Sequence, residues 1–251
     1  MTIAELILNK AILIAQKKAV IKYADGCNYS GAVIETVNKS ETFDQDTTEL
    51  QVKAAINTTN ILDSHGDVHI KGLWKKSLEE NKAIMHLQEH ELKFDKIISS
   101  GKDLKASAKN MTFKELGYNF DGETQVLFFE SIVKLERNPY MFKQYAEGNV
   151  NNHSVGMRYV KLFLAVNDDK YPEEKKVWDK YYPTIANKEE VDLQGHFWAV
   201  TEAKVIEGSA VPIGSNQVTP TIEVSEAAKG TSTKIEPSKD TQKNLLLNFL
   251  N

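Results

Sequence analysis

Asn152-His153-Ser154-Val155-Gly156-Met157-Arg158 marks the passage from a polar, glycine-bearing approach, Glu147-Gly148-Asn149, into a long apolar run, Val155 to Val166. That run reads as a β-strand. Its opening serine therefore stands at a strand mouth, where a nucleophilic hydroxyl can be presented. Side chains along a strand alternate between faces. Ser154 and Gly156 then share one face, and His153 and Val155 the other. His153 cannot act as base for its own neighbour, so a general base must come from another segment. An ordinary Ser-x-Gly turn is the competing reading.

Two histidine pairs are spaced i, i+4: His65/His69 and His86/His90. On a helix such a pair can hold zinc. However, Asp63-Ser64-His65-Gly66-Asp67 reads as a turn. Ile84 to His90 reads as extended, and four residues of strand span ~13 Å, too far for two ligands of one metal. No metal and no cofactor is expected. His86 and His90 remain base candidates, against the plainer reading of His90 as a satisfied structural histidine. Glu207 lies in Ala203-Lys-Val-Ile-Glu-Gly-Ser-Ala-Val211, among apolar and small residues. A carboxylate in such a run has to be paired or half-exposed; it either orients a histidine or is solvated on an edge strand. A Ser/His/acid set is recognised by roles and geometry, not by order along the chain.

The chain has 251 residues, 41% hydrophobic and 26% charged, with a formal net charge of −4. This suits a soluble globular domain with appendages. The acidic balance, with Arg137 and Arg158 the sole arginines, argues against nucleic-acid binding. Cys27 is the single cysteine, read as an inert thiol; no intrachain disulfide is possible. The N-terminal segment (Ile3, Leu6, Ile7, Ile14) has helical spacing broken by Glu5 and Lys10. An amphipathic helix is expected there, with neither a membrane span nor a secretory signal, and the cytoplasm is the default compartment.

Three parts are expected. Residues 1–45 hold the N-terminal helix and a polar linker. Residues 46–218 carry most of the strands, with 168–190 as a charged, largely helical surface insertion. Residues 219–251 form a flexible tail ending in the apolar Leu245–Leu250. Short helices are expected over Leu73–Asn81 and after Asn138-Pro139, where asparagine caps and Gly148 stops the helix. Many strands, few helices and no βαβ alternation give an α+β, mainly β, fold: a mixed barrel or sandwich.

Four segments resemble, in order, the prohead (capsid maturation) proteases of tailed bacteriophages, serine peptidases similar in fold to the herpesvirus assemblins. Asp63-Ser-His-Gly-Asp-Val68 followed by Lys71-Gly-Leu-Trp-Lys-Lys-Ser-Leu78 resembles the family's Asp-x-x-Gly-Asp-Val and helix. His90-Glu91 resembles its His-Asp, and Gly148 to Met157 its Gly-x(n)-Ser-hydrophobic-Gly-aromatic segment. Ile206-Glu-Gly-Ser-Ala-Val211 with Gly214-Ser-Asn216 resembles its Leu-Glu-Val-Ser-x-Val and Pro-Ala-Asn. Each motif is short and degenerate, but four in order over residues 50–218 are fairly specific. Departures are Glu91 for Asp, Met157 for an aromatic, a missing Pro-x-Gly after the histidine, and the long 168–190 link. The resemblance implies Ser154 as nucleophile, His90 as base and Glu207 as third member, in a small β-barrel flanked by helices. It further implies a homodimer and a role inside the immature prohead in the bacterial host's cytoplasm, cleaving the major capsid or scaffold protein and itself. The alternative from another class is a non-catalytic capsid-assembly or scaffolding protein with the same fold.

Overall fold

The computed structural model describes residues 1–21, 39–40, 43–44, 46–81 and 83–227. Cys27, most of the polar linker and Leu245–Leu250 lie outside the described residues. The elements run α1 (Ile3–Leu8), α2 (Lys10–Ala19), β1 (Lys39–Ser40), β2 (Glu49–Thr58), β3 (Asp67–His69), α3 (Lys75–Glu80), β4 (Met85–Gln88), β5 (Ile97–Ser100) and β6 (Leu104–Thr112). They continue with β7 (Glu123–Lys134), α4 (Pro139–Ala146), β8 (His153–Val166), α5 (Pro172–Tyr181), α6 (Lys188–Gln194), β9 (His196–Ala210) and β10 (Thr221–Glu226). The protein is α+β with strands predominating.

The strands form two five-stranded arrangements. One has the order β1-β10-β2-β7-β6; the other has β3-β9-β4-β5, with β8 also paired to β9. Among the described residues these ladders do not close into a barrel. Strand β9 is the spine of the second sheet. Antiparallel β8 runs along one edge from His153↔Ala210 to Val166↔His196. On the other edge, parallel β3 takes the first half of β9 and parallel β4 the second, with Asp67 beside Trp198 and Met85 beside Glu207. Gly208 of β9 lies where the two sheets approach closely: a Cβ there would come within 2.6 Å of Ile56 and Phe129 of the first sheet. The core between them is largely apolar. It holds Leu50, Val52 and Ile56 of β2, Leu127 and Phe129 of β7, Val155 and Met157 of β8, and Val205 of β9, each side chain contributing roughly 1.5–3 kcal/mol by burial.

Both α1 and α2 pack on this body. Thr2 and Glu5 form a capping box at the start of α1. Leu6 is buried, and Ile3, Ile7, Leu13 and Ile14 lean on the main core. Lys10 reaches Glu174 at 2.6 Å, and Lys17 pairs with the buried Asp67. The expected helix at Asn138 is present: Asn138 Oδ1 accepts the Met141 N–H at 3.0 Å, and Gly148 beyond the helix is left-handed at φ 71°.

Three expectations need correction. Residues 221–226, assigned by composition to the flexible tail, form β10, which lies between β1 and β2 and pairs with Leu50 to Ala54. Backbone pairing holds this segment together with Val224, buried in the main core, and Ile222, which packs on a second apolar cluster. Residues 168–190 are helical as expected, but Trp178 and Ile185 are buried in a small core with Leu62 and Phe197, so the insertion is anchored to the sheet. The extended segment that was expected to run to His90 ends at Gln88.

Candidate active site

The site rests on ladder register. Ser154 lies opposite Ser209, and Gly156 opposite Glu207. Directly opposed residues share a face, with Cβ atoms about 4.5–5.5 Å apart. Ser154, Gly156, Glu207 and Ser209 therefore face one way. The other face carries His153, Val155, Gly208 and Ala210, joined from β4 by His86 beside Gly208 and Gln88 beside Ala210.

Had β4 continued to His90, its ring would share His86's face, behind the sheet. It does not. Glu89 and His90 are both left-handed, at φ 53° and 59°, a conformation that costs a non-glycine residue roughly 1–2 kcal/mol. Hydrogen bonds offset the cost. The Glu89 N–H donates to Ala210 C=O at 3.0 Å, and the Glu91 N–H donates to Gln88 C=O at 3.0 Å. The His90 N–H donates to Ser209 Oγ at 3.1 Å. This turn swings the imidazole onto the Ser154 face. There Nδ1 lies 2.7 Å from Glu207 Oε1.

Glu207 is 1% exposed, so its charge has to be met inside the protein. Oε1 takes His90, and Oε2 accepts the Ser209 hydroxyl at 2.5 Å. Gly156 provides the room: a Cβ on residue 156 would sit 1.9 Å from Glu207 Oε1. Ser154, itself buried, stands across one strand gap from the hydroxyl that braces both acid and histidine. Ser209 was not singled out from sequence. Its signal is the i, i+2 spacing from Glu207, which places both on one face of β9.

The opposite face carries a second set of polar groups. His86 Nδ1 lies 2.9 Å from Ser131 Oγ, and its Nε2 lies 3.1 Å from Tyr145 Oη. Tyr145 Oη is also 3.1 Å from His153 Nε2, and His153 Nδ1 is 3.1 Å from the Thr219 carbonyl. Burial pushes the pKa of His86 well below the usual histidine value and that of His153 down to about 4, and it raises that of Tyr145. Both rings are therefore neutral near pH 7. A carbonyl only accepts, so His153 Nδ1 carries the proton and its Nε2 accepts from Tyr145 O–H. His86 Nε2–H must then donate to the Tyr145 oxygen, and Ser131 O–H to His86 Nδ1. The hydrogen bonds thus run in one direction from Ser131 to Thr219. His86 is committed on both nitrogens and lies away from Ser154.

The opening Asp-x-x-Gly-Asp motif forms a third cluster. Asp63 Oδ1 accepts the His65 and Asp67 N–H groups at 2.9 Å each, with Gly66 left-handed at φ 71° between them. Burial and the neighbouring Asp67 carboxylate push the Asp63 carboxyl pKa up. Ligand-type atoms of Asp63, His65 and Asp67 lie within 4.8 Å of one another, but the Lys17 ammonium already meets Asp67 there. His69 turns its ring nitrogens to Asn57 Oδ1 and Tyr159 Oη at 3.0 and 3.1 Å. Neither i, i+4 histidine pair converges as ligands. Asn216 of the last motif is a brace: Nδ2 donates to Asn57 Oδ1 and Thr58 C=O at 3.0 and 2.9 Å, fastening the chain after β9 to β2.

No helix among the described residues is long and apolar enough to cross a membrane. Comparison of the chain with models of protein families, with curated proteins and with solved structures finds no match.

Proposed function

We propose that the chain is a serine endopeptidase with Ser154 as nucleophile, His90 as general base and Glu207 as the acid that orients it. The observation that carries this reading is the 2.7 Å contact between His90 Nδ1 and a 1% exposed Glu207, on the sheet face that also bears Ser154. With Nδ1–H donating to Glu207, Nε2 is the basic nitrogen of the neutral ring. In the reaction, Ser154 Oγ adds to the scissile carbonyl while its proton passes to His90, a transfer typically worth 10²–10⁴-fold. Glu207 stabilises the resulting imidazolium. The imidazolium then protonates the departing amine, leaving an acyl-enzyme on Ser154. Water, deprotonated by the same ring, releases the carboxylic acid and restores the serine.

The motif order supports a biological setting: processing of a capsid or scaffold protein, and of the enzyme itself, within the prohead of a tailed phage in its bacterial host. Under this kinship the active form is a homodimer, and the two sheets are the halves of an assemblin-like barrel flanked by helices.

The test is covalent. A serine-directed phosphonate should label Ser154 of the wild type, and His90→Ala should abolish both labelling and cleavage of the co-expressed capsid protein. Cleavage retained by Ser154→Ala overturns the nucleophile assignment. A wild type inert to both probe and substrate points instead to a non-catalytic capsid-assembly protein of the same fold.

A further inference from the structure

Two short segments are fastened together and leave their large apolar side chains in water. Leu92 and Phe94 follow the His90 turn, and Leu135 and Tyr140 flank the entry to α4. Two ties join the segments: Asn138 Nδ2 donates to the Asp95 C=O at 3.3 Å, and Glu89 and Tyr140 line one cavity. Leu92 and Phe94 lie between those ties. All four side chains are exposed, Phe94 at 94%. Single exposed apolar residues are ordinary on a folded protein, but a group of large ones marks a contact surface. The cavity adds a socket. It measures about 140 Å³, with Met141, Val150, Ala210 and Val211 as apolar walls and the exposed Tyr140 among its lining. A space of about 150 Å³ holds a benzene-sized group, and so one leucine side chain.

The point where the chain leaves the sheet identifies the occupant. The Ala227 N–H donates to Glu49 C=O at 3.1 Å, and the Leu135 N–H donates to the adjacent Thr48 C=O at 2.9 Å. Ala227 and Leu135 thus stand on opposite sides of the start of β2, two strand spacings or about 10 Å apart. From Ala227 the sequence continues through mostly polar residues to Leu245-Leu-Leu-Asn-Phe-Leu250, which lies outside the described residues. Residues 228–244 can span up to about 60 Å, more than the distance to the patch requires. A tether of this length offers a segment to its own body at an effective concentration on the order of mM, which favours the chain's own segment over that of a second copy. We propose that Leu245–Leu250 docks on the face formed by Leu92, Phe94, Leu135 and Tyr140 of the same molecule and places one leucine in the adjoining cavity. The contact requires no catalysis and holds whether or not Ser154 is a nucleophile.

Photocrosslinking tests it in the full chain carrying Ser154→Ala, which keeps residues 228–251 attached even if the wild type cuts itself. Phe94→p-benzoylphenylalanine puts the probe on an exposed side chain that the core does not use. Irradiation and mass spectrometry should join position 94 to a peptide containing Leu245–Leu250, with a yield independent of protein concentration. Leu246→Asp combined with Phe249→Asp should lower that yield by at least about 5-fold, because a buried apolar side chain is worth about tenfold or more in binding. Mixing nitrogen-15-labelled and unlabelled chains identifies the donor. Crosslinks between a labelled and an unlabelled peptide mean that a second copy supplies the segment, and they overturn the intramolecular assignment. Crosslinks from position 94 to other parts of the chain, or none, overturn the docking itself. Hydrogen exchange gives a second reading without the probe. Amides of residues 89–95 should exchange at least about 5-fold faster in the double Asp variant than in its parent, and equal rates overturn the proposal.

Discussion

Gly156 and Glu207 meet across the β8–β9 ladder so closely that the acid's Oε1 occupies the place of a side chain on residue 156. The glycine is required by this approach and not by its backbone. Gly156→Ala should therefore displace the carboxylate and with it His90. The expected result is a loss of about 1–3 kcal/mol from overpacking and a fall in cleavage of at least about 100-fold, beyond what the stability change explains. Urea unfolding and single-turnover rates check the two effects separately. Near-wild-type turnover would show that the acid can be moved without consequence.

Ser209 holds Glu207 and His90 in place through one hydroxyl, donating to Glu207 at 2.5 Å and accepting from the His90 N–H at 3.1 Å. Ser209→Ala removes both contacts and leaves a buried carboxylate oxygen unsatisfied, worth about 1–3 kcal/mol. The loss should appear in kcat, about 10- to 100-fold, with KM little changed. A change confined to KM would place Ser209 in substrate binding instead.

The chain through His86, Tyr145 and His153 makes a prediction about protons. Nitrogen-15 spectra of labelled protein should show His86 protonated on Nε2 and His153 protonated on Nδ1, both neutral at pH 7. Tyr145→Phe keeps the ring's volume but leaves His86 Nε2–H and His153 Nε2 without their shared partner. A destabilisation of about 2–4 kcal/mol is expected from two buried groups, and urea midpoints measure it. Opposite tautomers would reverse the direction of the hydrogen bonds.

Stability should pass through a maximum in pH. The unfolded chain protonates its histidines below pH about 6.5, but burial holds His153 at about 4 and His86 also low. Stability therefore falls as pH drops from about 6.5 towards 4, by about 3 kcal/mol for His153 alone at ~1.4 kcal/mol per pH unit. Asp63 works in the opposite sense. Its raised pKa favours the native state most below the ordinary carboxyl range of about 3.9, and that contribution is lost as pH rises towards its folded value. Unfolding midpoints from pH 4 to 9 should peak near pH ~6.5, and Asp63→Asn should flatten the alkaline limb. A wild-type curve that rises steadily to pH 9 would contradict the role given to Asp63.

Much of the site was legible because alternation along a strand is a strict rule. It placed Ser154 and Gly156 together, excluded His153 as base, and gave a mainly β fold. What it could not show was how His90 changes face. Gln88-Glu89-His90 contains no glycine or asparagine to advertise two left-handed residues, and the turn is held by contacts from Ala210 and Ser209, over a hundred residues away. Strand β10 was hidden for a related reason. Its composition matches the polar tail that follows, and its order comes from pairing with β2 and from only two apolar side chains, Ile222 and Val224, that reach the cores.

The spine position of β9 has one more consequence. A slip of a single residue against β8 would exchange Glu207 with Gly208, turning a carboxylate toward Ile56 and Phe129 and a bare backbone toward the histidine. Misregistered chains would thus carry an ion into hydrocarbon. The chemistry proposed for one face of this sheet and the burial on the other thus depend on the same parity.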